Sequence, residues 1–155
     1  MRLLVGACLA VVVLWAAGCG SDNQTCSTCP KVEGTWAITS GQPDQACSNG
    51  KAPPSSLTIT RVGSTIRSTI EGNELTGTVF DTFDFTLSGA TGGSTGGADA
   101  GVRVPDHVEL RAKFIEGTGD GGVDTFHGTW AFTPAADAGS QTCVETRDVT
   151  GSRTQ

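Results

Sequence analysis

The side chains capable of chemistry in this 155-residue chain are few: six cysteines and two histidines, set among 16 acidic and 10 basic residues with no tyrosine. Cys26 and Cys29 stand three apart in Cys26-Ser27-Thr28-Cys29-Pro30, a spacing that serves thiol–disulfide exchange or half of a zinc site. The first use needs the pair to open a helix behind a strand and the second needs another close pair, and the sequence supplies neither. The two cysteines therefore read as a structural bridge or as thiols of a tether. His107 and His127 fall on the charged side of alternating stretches. His107 shares its side with Glu109, an arrangement that any exposed strand produces freely. Asp81 and Asp84 sit three apart, which places them on opposite faces of an extended chain and not as a carboxylate pair. Asp120 and Asp124 in GTGDGGVD offer two carboxylates where calcium takes ~6–8 oxygens, so they read as hairpin-turn residues. There is no Gly-x-Ser-x-Gly elbow, phosphate-binding glycine loop or metalloprotease helix. The expectation is a non-catalytic protein without metal or cofactor.

The remaining cysteine chemistry depends on the N-terminal segment. Arg2 precedes an apolar run from Leu3 to Ala17, and Ala16-Ala17-Gly18-Cys19 closes it, the order of a secretory signal ending at a cleavage site. The polar stretch Gly20-Ser21-Asp22-Asn23-Gln24 follows, so the run falls short of the ~20 apolar residues of a spanning helix. The join resembles the lipobox of bacterial lipoproteins, with Ala16 where Leu is commoner. Val5-Gly6-Ala7-Cys8 has a similar form, but only three residues separate Arg2 from Gly6, too few for a signal core. The resemblance implies cleavage before Cys19, acylation of Cys19 by chains such as palmitate, and a membrane anchor that asks nothing of the folded domain. It also implies the bacterial cell envelope, and Gly20 after the acylated residue implies the outer membrane. Residues 1–18 are then the lipoprotein signal peptide, 19–31 the lipidated N-terminus and polar tether, and 32–155 a single folded domain.

Removing residues 1–18 leaves 137 residues with nine basic against 16 acidic side chains, a net charge of −7. Such a surface repels nucleic acid and anionic headgroups. With Cys19 given to lipid, Cys26, Cys29, Cys47 and Cys143 remain, an even set in an exported protein, with three possible pairings. An internal repetition favours one of them. GTWAIT at 34–39 recurs as GTWAFT at 128–133, and a cysteine follows each, eight positions on at Cys47 and ten at Cys143. If the two segments occupy comparable positions, their cysteines emerge at one end and pair, which leaves Cys26 with Cys29.

Eight stretches alternate or are rich in β-branched residues: 32–40, 56–62, 64–71, 75–80, 83–88, 102–115, 123–133 and 142–150. The clearest sets Val108, Leu110, Ala112 and Phe114 against His107, Glu109, Arg111 and Lys113. One-sided strands of this kind belong to antiparallel sheet with one wet face. The expected fold is all-β, about eight antiparallel strands in an up-and-down β-barrel, with a two-sheet β-sandwich as the alternative. Sequential hairpins favour the barrel. The segment 89–101, GATGGSTGGADAG, lacks side chains that build a core and reads as a flexible excursion.

Gly34-Thr35-Trp36 on the first strand of such a protein resembles the lipocalins and the wider calycin group. That resemblance implies that Trp36 packs at the closed end of the barrel under an arginine near the last strand, Arg147 or Arg153. GTW at 34–36 with LTGT at 75–78 also resembles the avidins. Val79 and Phe80 follow there, however, and without tyrosine the polar biotin ligands find no counterparts. Two functional expectations remain. One is a lipocalin-like barrel that binds a small apolar ligand among the inward residues Ile59, Ile66, Val79, Phe85, Leu110 and Phe126. The other is a solid barrel that acts by its surface as an inhibitor or assembly partner, as in lipoprotein inhibitors of lysozyme, with its acidic exterior suited to a basic envelope protein. Large inward rings would argue for the second and small inward residues for the first.

Overall fold

The computed structural model describes residues 31–47, 49–91, 105–117, 122–135 and 143–154. Residues 1–18, expected to be a signal peptide, and Cys19, Cys26, Cys29 and Asp120 lie outside the described residues. Eight strands follow one another: β1 (Gly34–Ser40), β2 (Ser56–Val62), β3 (Thr65–Ile70), β4 (Asn73–Val79), β5 (Asp84–Thr91), β6 (Asp106–Glu116), β7 (Val123–Thr133) and β8 (Glu145–Arg153). Each pairs antiparallel with the next, and β8 pairs with β1 from Trp36↔Arg153 to Ser40↔Val149, closing an up-and-down barrel. Closure leaves no sheet edge unpaired, which removes the aggregation hazard of an open sandwich.

Period-two alternation sets the faces. In β2 Leu57 and Ile59 point inward while Ser56, Thr58 and Thr60 face solvent, and in β6 the buried positions are Val108, Leu110, Ala112 and Phe114. Ile66, Ser68 and Ile70 do the same in β3. Turn chemistry fixes the register. Ile70 pairs with Asn73 across Glu71-Gly72, both at positive φ (50° and 81°), as the two-residue hairpin turn matched to strand twist requires. At the other end of β3, Gly63 at φ 64° opens the equally short turn from Val62 to Thr65.

Of the strand boundaries that differ from the sequence expectation, three have a clear physical reason. β5 starts at Asp84 because Phe83 lies in the turn at φ 64°, with its ring packed against the core. β5 also runs three residues into the glycine-rich segment, pairing Gly89↔Val108, Ala90↔His107 and Thr91↔Asp106. Composition argued for a loop there, but the β6 ladder still offers partners, and backbone hydrogen bonds outweigh the weak propensity of Gly. The last strand reaches Arg153 instead of ending at Thr150, because β1 continues to offer it partners.

The strand directions define two ends. The β2–β3 and β4–β5 turns and the C-terminal end of β8 lie at one, with Trp36 near it; the β3–β4 turn, the N-terminal end of β8 and Cys47 and Cys143 lie at the other.

Candidate functional site

At the first end the barrel is stoppered. Trp36 is fully buried and its indole Nε1 donates to the carbonyl of Val32, itself fully buried, at 3.2 Å. The guanidinium of Arg153 lies over the Trp36 ring, Cζ 4.8 Å from its centroid. Its Nε donates to the carbonyl of Val123 at 2.8 Å, Nη1 to that of Glu33 at 2.6 Å and Nη2 to that of Lys31. One planar cation thus ties the entering chain, the start of β7 and the end of β8 together, a task suited to the fixed fork of arginine. Of the two arginines the sequence offered for this place, Arg153 occupies it. Arg147 also faces inward on β8 but stands six residues away, ~20 Å along a strand, and belongs to the opposite end.

Above the stopper the interior is filled with rings. Trp36 meets Phe114 and Phe126 at 5.4 Å each, Phe85 stacks on Phe114 at 4.2 Å, and Phe126 stands edge-on to Phe85 at 5.3 Å and to Phe114 at 6.0 Å. Gly151 on β8 makes room for this cluster, since a Cβ there would lie 2.0 Å from Phe126 Cε1. All six sequence-predicted lining residues, Ile59, Ile66, Val79, Phe85, Leu110 and Phe126, point inward with at most 3% exposure. They pack against one another and the other core residues. Leu110 and Phe126 border a space of about 10 Å³ shared with Pro53 and Pro54, roughly the smallest that holds one water.

The second end is crossed by a strap, residues 41–55, that the alternation analysis could not see. It has no period. Individual contacts hold it: Gly41 N donates to Asp148 O and Asp44 N to Thr146 O, both at 2.9 Å, Thr146 Oγ1 donates to Asp44 Oδ2 at 2.9 Å, and Trp130 Nε1 donates to Lys51 O at 3.3 Å. Cys47 and Cys143 are joined by a disulfide with Cα atoms 6.0 Å apart. Beneath it Glu145, 2% exposed, accepts from Arg147 at 2.7 Å through Oε1 and from the Cys47 backbone N–H at 3.2 Å through Oε2. Gly50 passes so close that a Cβ would stand 1.8 Å from Glu145 Oε2. The buried Glu145–Arg147 pair escaped sequence reading because a carboxylate in a polar stretch carries no mark of burial.

The remaining polar groups form no catalytic constellation among the described residues. His127 Nδ1 lies 3.1 Å from Thr150 Oγ1 on the outer surface. His107 is exposed, and Glu109 on its face is engaged by Arg111 at 2.7 Å; the hydrogen bond and charge of Glu109 raise the guanidinium pKa. Asp84 accepts from Thr82 Oγ1 at 2.6 Å and ends a turn. Among the described residues no three His, Cys, Asp or Glu side chains gather to hold a metal ion. The chain matches no protein-family model, no curated protein and no solved structure.

Proposed function

We propose that this chain is a lipid-tethered protein of the bacterial envelope, anchored in the outer membrane through acyl chains on Cys19, and that it works through the outside of a lipocalin-like barrel. The filled interior carries this reading. Ligand pockets occupy ~300–1,000 Å³, whereas the space beside Leu110 and Phe126 is about 10 Å³ and the recess beneath the strap at the barrel mouth is about 260 Å³. A carrier of an apolar ligand would have to expel several of its own rings, each embedded in the aromatic cluster around Phe126. The interior is better explained as scaffold, with Ile59, Ile66, Val79, Phe85, Leu110 and Phe126 as its packing and not as a ligand's surroundings.

The chain enters the barrel at the stoppered end, where Lys31 bridges to Gly122 beside Arg153. A tether from Cys19 to Lys31 reaches at most about 40 Å at ~3.3–3.6 Å per residue. It would hold that end toward the membrane and turn the strapped end outward, toward a soluble partner. The net charge of −7 on the mature chain favours a basic protein there and disfavours nucleic acid.

The test has two readouts on chain expressed in a bacterium with labelled palmitate. Label should appear in the full chain and vanish in Cys19→Ala, which should leave the membrane fraction. Native mass spectrometry of the mature domain without Cys19, purified from envelope extract, should return the mass of the bare polypeptide. Label that persists in Cys19→Ala would overturn the tether, and a stoichiometric apolar ligand would overturn the surface reading.

A further inference from the structure

A groove of about 370 Å³ runs over the outer wall of β5, β6 and β7, toward the stoppered end. The strand ladders set what lines it. Asp84 stands opposite Lys113 and Lys113 opposite His127, with Thr86 opposite Arg111 one row along, and all of these border the groove beside the half-buried ring of Phe80. Much of their bonding capacity is unspent. Among the described residues Lys113 makes no ion pair, although Asp84 faces it across the ladder. Arg111 gives only its Nε to Glu109, at 2.7 Å, and both Nη groups are left without a protein acceptor among the described residues. Asp84 accepts from Thr82 at 2.6 Å through Oδ2, leaving Oδ1 open. His127 has Nδ1 against Thr150 Oγ1 at 3.1 Å, so Nε2 is the ring nitrogen that remains.

From this pattern we infer that the groove binds a phosphate ester that also carries an ammonium group, the chemistry of phosphoethanolamine. The free fork of Arg111 and the point charge of Lys113 suit phosphate oxygens, and an imidazole whose Nδ1 accepts from Thr150 carries its proton on Nε2 and donates it there. Asp84 Oδ1 receives the ammonium. Neighbouring strands lie ~4.8 Å apart, so a phosphate over β6 and β7 and an ammonium over β5 need a link of about two carbons. Charge decides against simpler ligands. A bare anion drawn to Lys113 and Arg111 meets the carboxylate of Asp84 at the same groove, whereas a molecule with both charges meets the opposite charge at each end. Being neutral overall, it also escapes the repulsion that a mature chain of charge −7 exerts on anions. The source is the free ester or a lipid headgroup, and the groove itself depends neither on the Cys19 anchor nor on the orientation proposed for the tether.

Phosphoethanolamine and ethyl phosphate, which lacks the amine, are the probes, titrated at constant ionic strength into residues 20–155 with Cys47–Cys143 oxidised and followed by backbone NMR shifts. Both should shift Thr86, Lys113 and His127, and phosphoethanolamine should bind about fivefold more tightly for its one additional exposed charge pair. Lys113→Gln should weaken both about fivefold. Asp84→Asn still accepts from Thr82, so the turn is kept, and it should bring phosphoethanolamine down to the affinity of ethyl phosphate without weakening the latter. Lys51→Gln makes the same change of net charge at the strapped end, where Lys51 is bound to Glu71, and should leave both unchanged. Vesicles of phosphatidylethanolamine and phosphatidylglycerol separate the sources: co-sedimentation that is lost in Lys113→Gln assigns a lipid headgroup, and its absence or its persistence in that variant assigns the free ester. The inference is overturned if neither probe shifts these residues, if the two probes bind alike, if Lys51→Gln weakens binding as much as Lys113→Gln, or if Asp84→Asn weakens both probes equally.

Discussion

Replacing Arg153 by methionine tests how the barrel is closed. Methionine keeps much of the apolar stem but removes the guanidinium, leaving the carbonyls of Val123, Glu33 and Lys31 without their donor and the Trp36 ring without its cation. The bonds to Val123 and Glu33 are part-buried, and at the low end for charged donors each contributes about 1.5 kcal/mol. The bond to Lys31 is exposed and is set near zero, since exposed charged contacts contribute little. The cation over Trp36 adds ~1 kcal/mol. The sum is about 4 kcal/mol, a large share of the ~5–15 kcal/mol that small domains possess. In urea, with a slope of ~1.5 kcal/mol/M, the unfolding midpoint of the disulfide-intact domain should fall by about 2–3 M. Arg153→Lys keeps the charge but loses the planar fork and should recover about half of that loss. A midpoint shift below ~0.5 M for Arg153→Met, or full recovery by lysine, would refute the argument that one planar cation ties three segments together.

Three further outcomes follow from the packing. Replacing Cys47 and Cys143 by serine opens a loop of 96 positions and should cost about 4.7 kcal/mol on the chain-entropy account, read as a lower unfolding midpoint for the variant than for the oxidised protein. Gly151→Ala forces a Cβ to within 2.0 Å of a ring already wedged among Trp36, Phe85 and Phe114; a loss of about 1–3 kcal/mol is expected, with partial recovery when Phe126→Leu is added in a double-mutant cycle. Glu145→Ala strands Arg147 and the Cys47 N–H and should cost about 3–5 kcal/mol, with faster amide exchange confined first to the strap.

What was legible in the sequence is what a period of two encodes. Val108 to Phe114 could be assigned a face without any structure, because each inward side chain must alternate with a wet one. The disulfide was legible for a reason only partly right. β1 and β7 run in the same direction, so Cys47 and Cys143 do emerge at one end. The two tryptophans, however, sit at different heights, Trp36 opposite Arg153 and Trp130 opposite Arg147 on the shared neighbour β8. The strap was invisible because residues 41–55 are held by individual backbone and side-chain contacts and a disulfide, which have no repeat. Thr91 was missed because its glycine-rich neighbours Gly89, Gly92 and Gly93 suggested a loop, while the decisive fact was a ladder partner 15 residues away at Asp106. Choosing between Arg147 and Arg153 needed the register of β8, which neither composition nor spacing contains.

The central claim is that the barrel's own rings fill its interior, so that whatever the protein recognises is met outside the ring cluster. The most direct measurement is an NMR titration of residues 20–155, with Cys47–Cys143 oxidised, against palmitate. Contacts among Trp36, Phe85, Phe114 and Phe126 should persist unchanged at saturating palmitate, with no acyl-chain contacts to Phe85 or Phe126. An acyl chain found against those two rings, with the Phe85–Phe114 stack broken to admit it, would contradict the account.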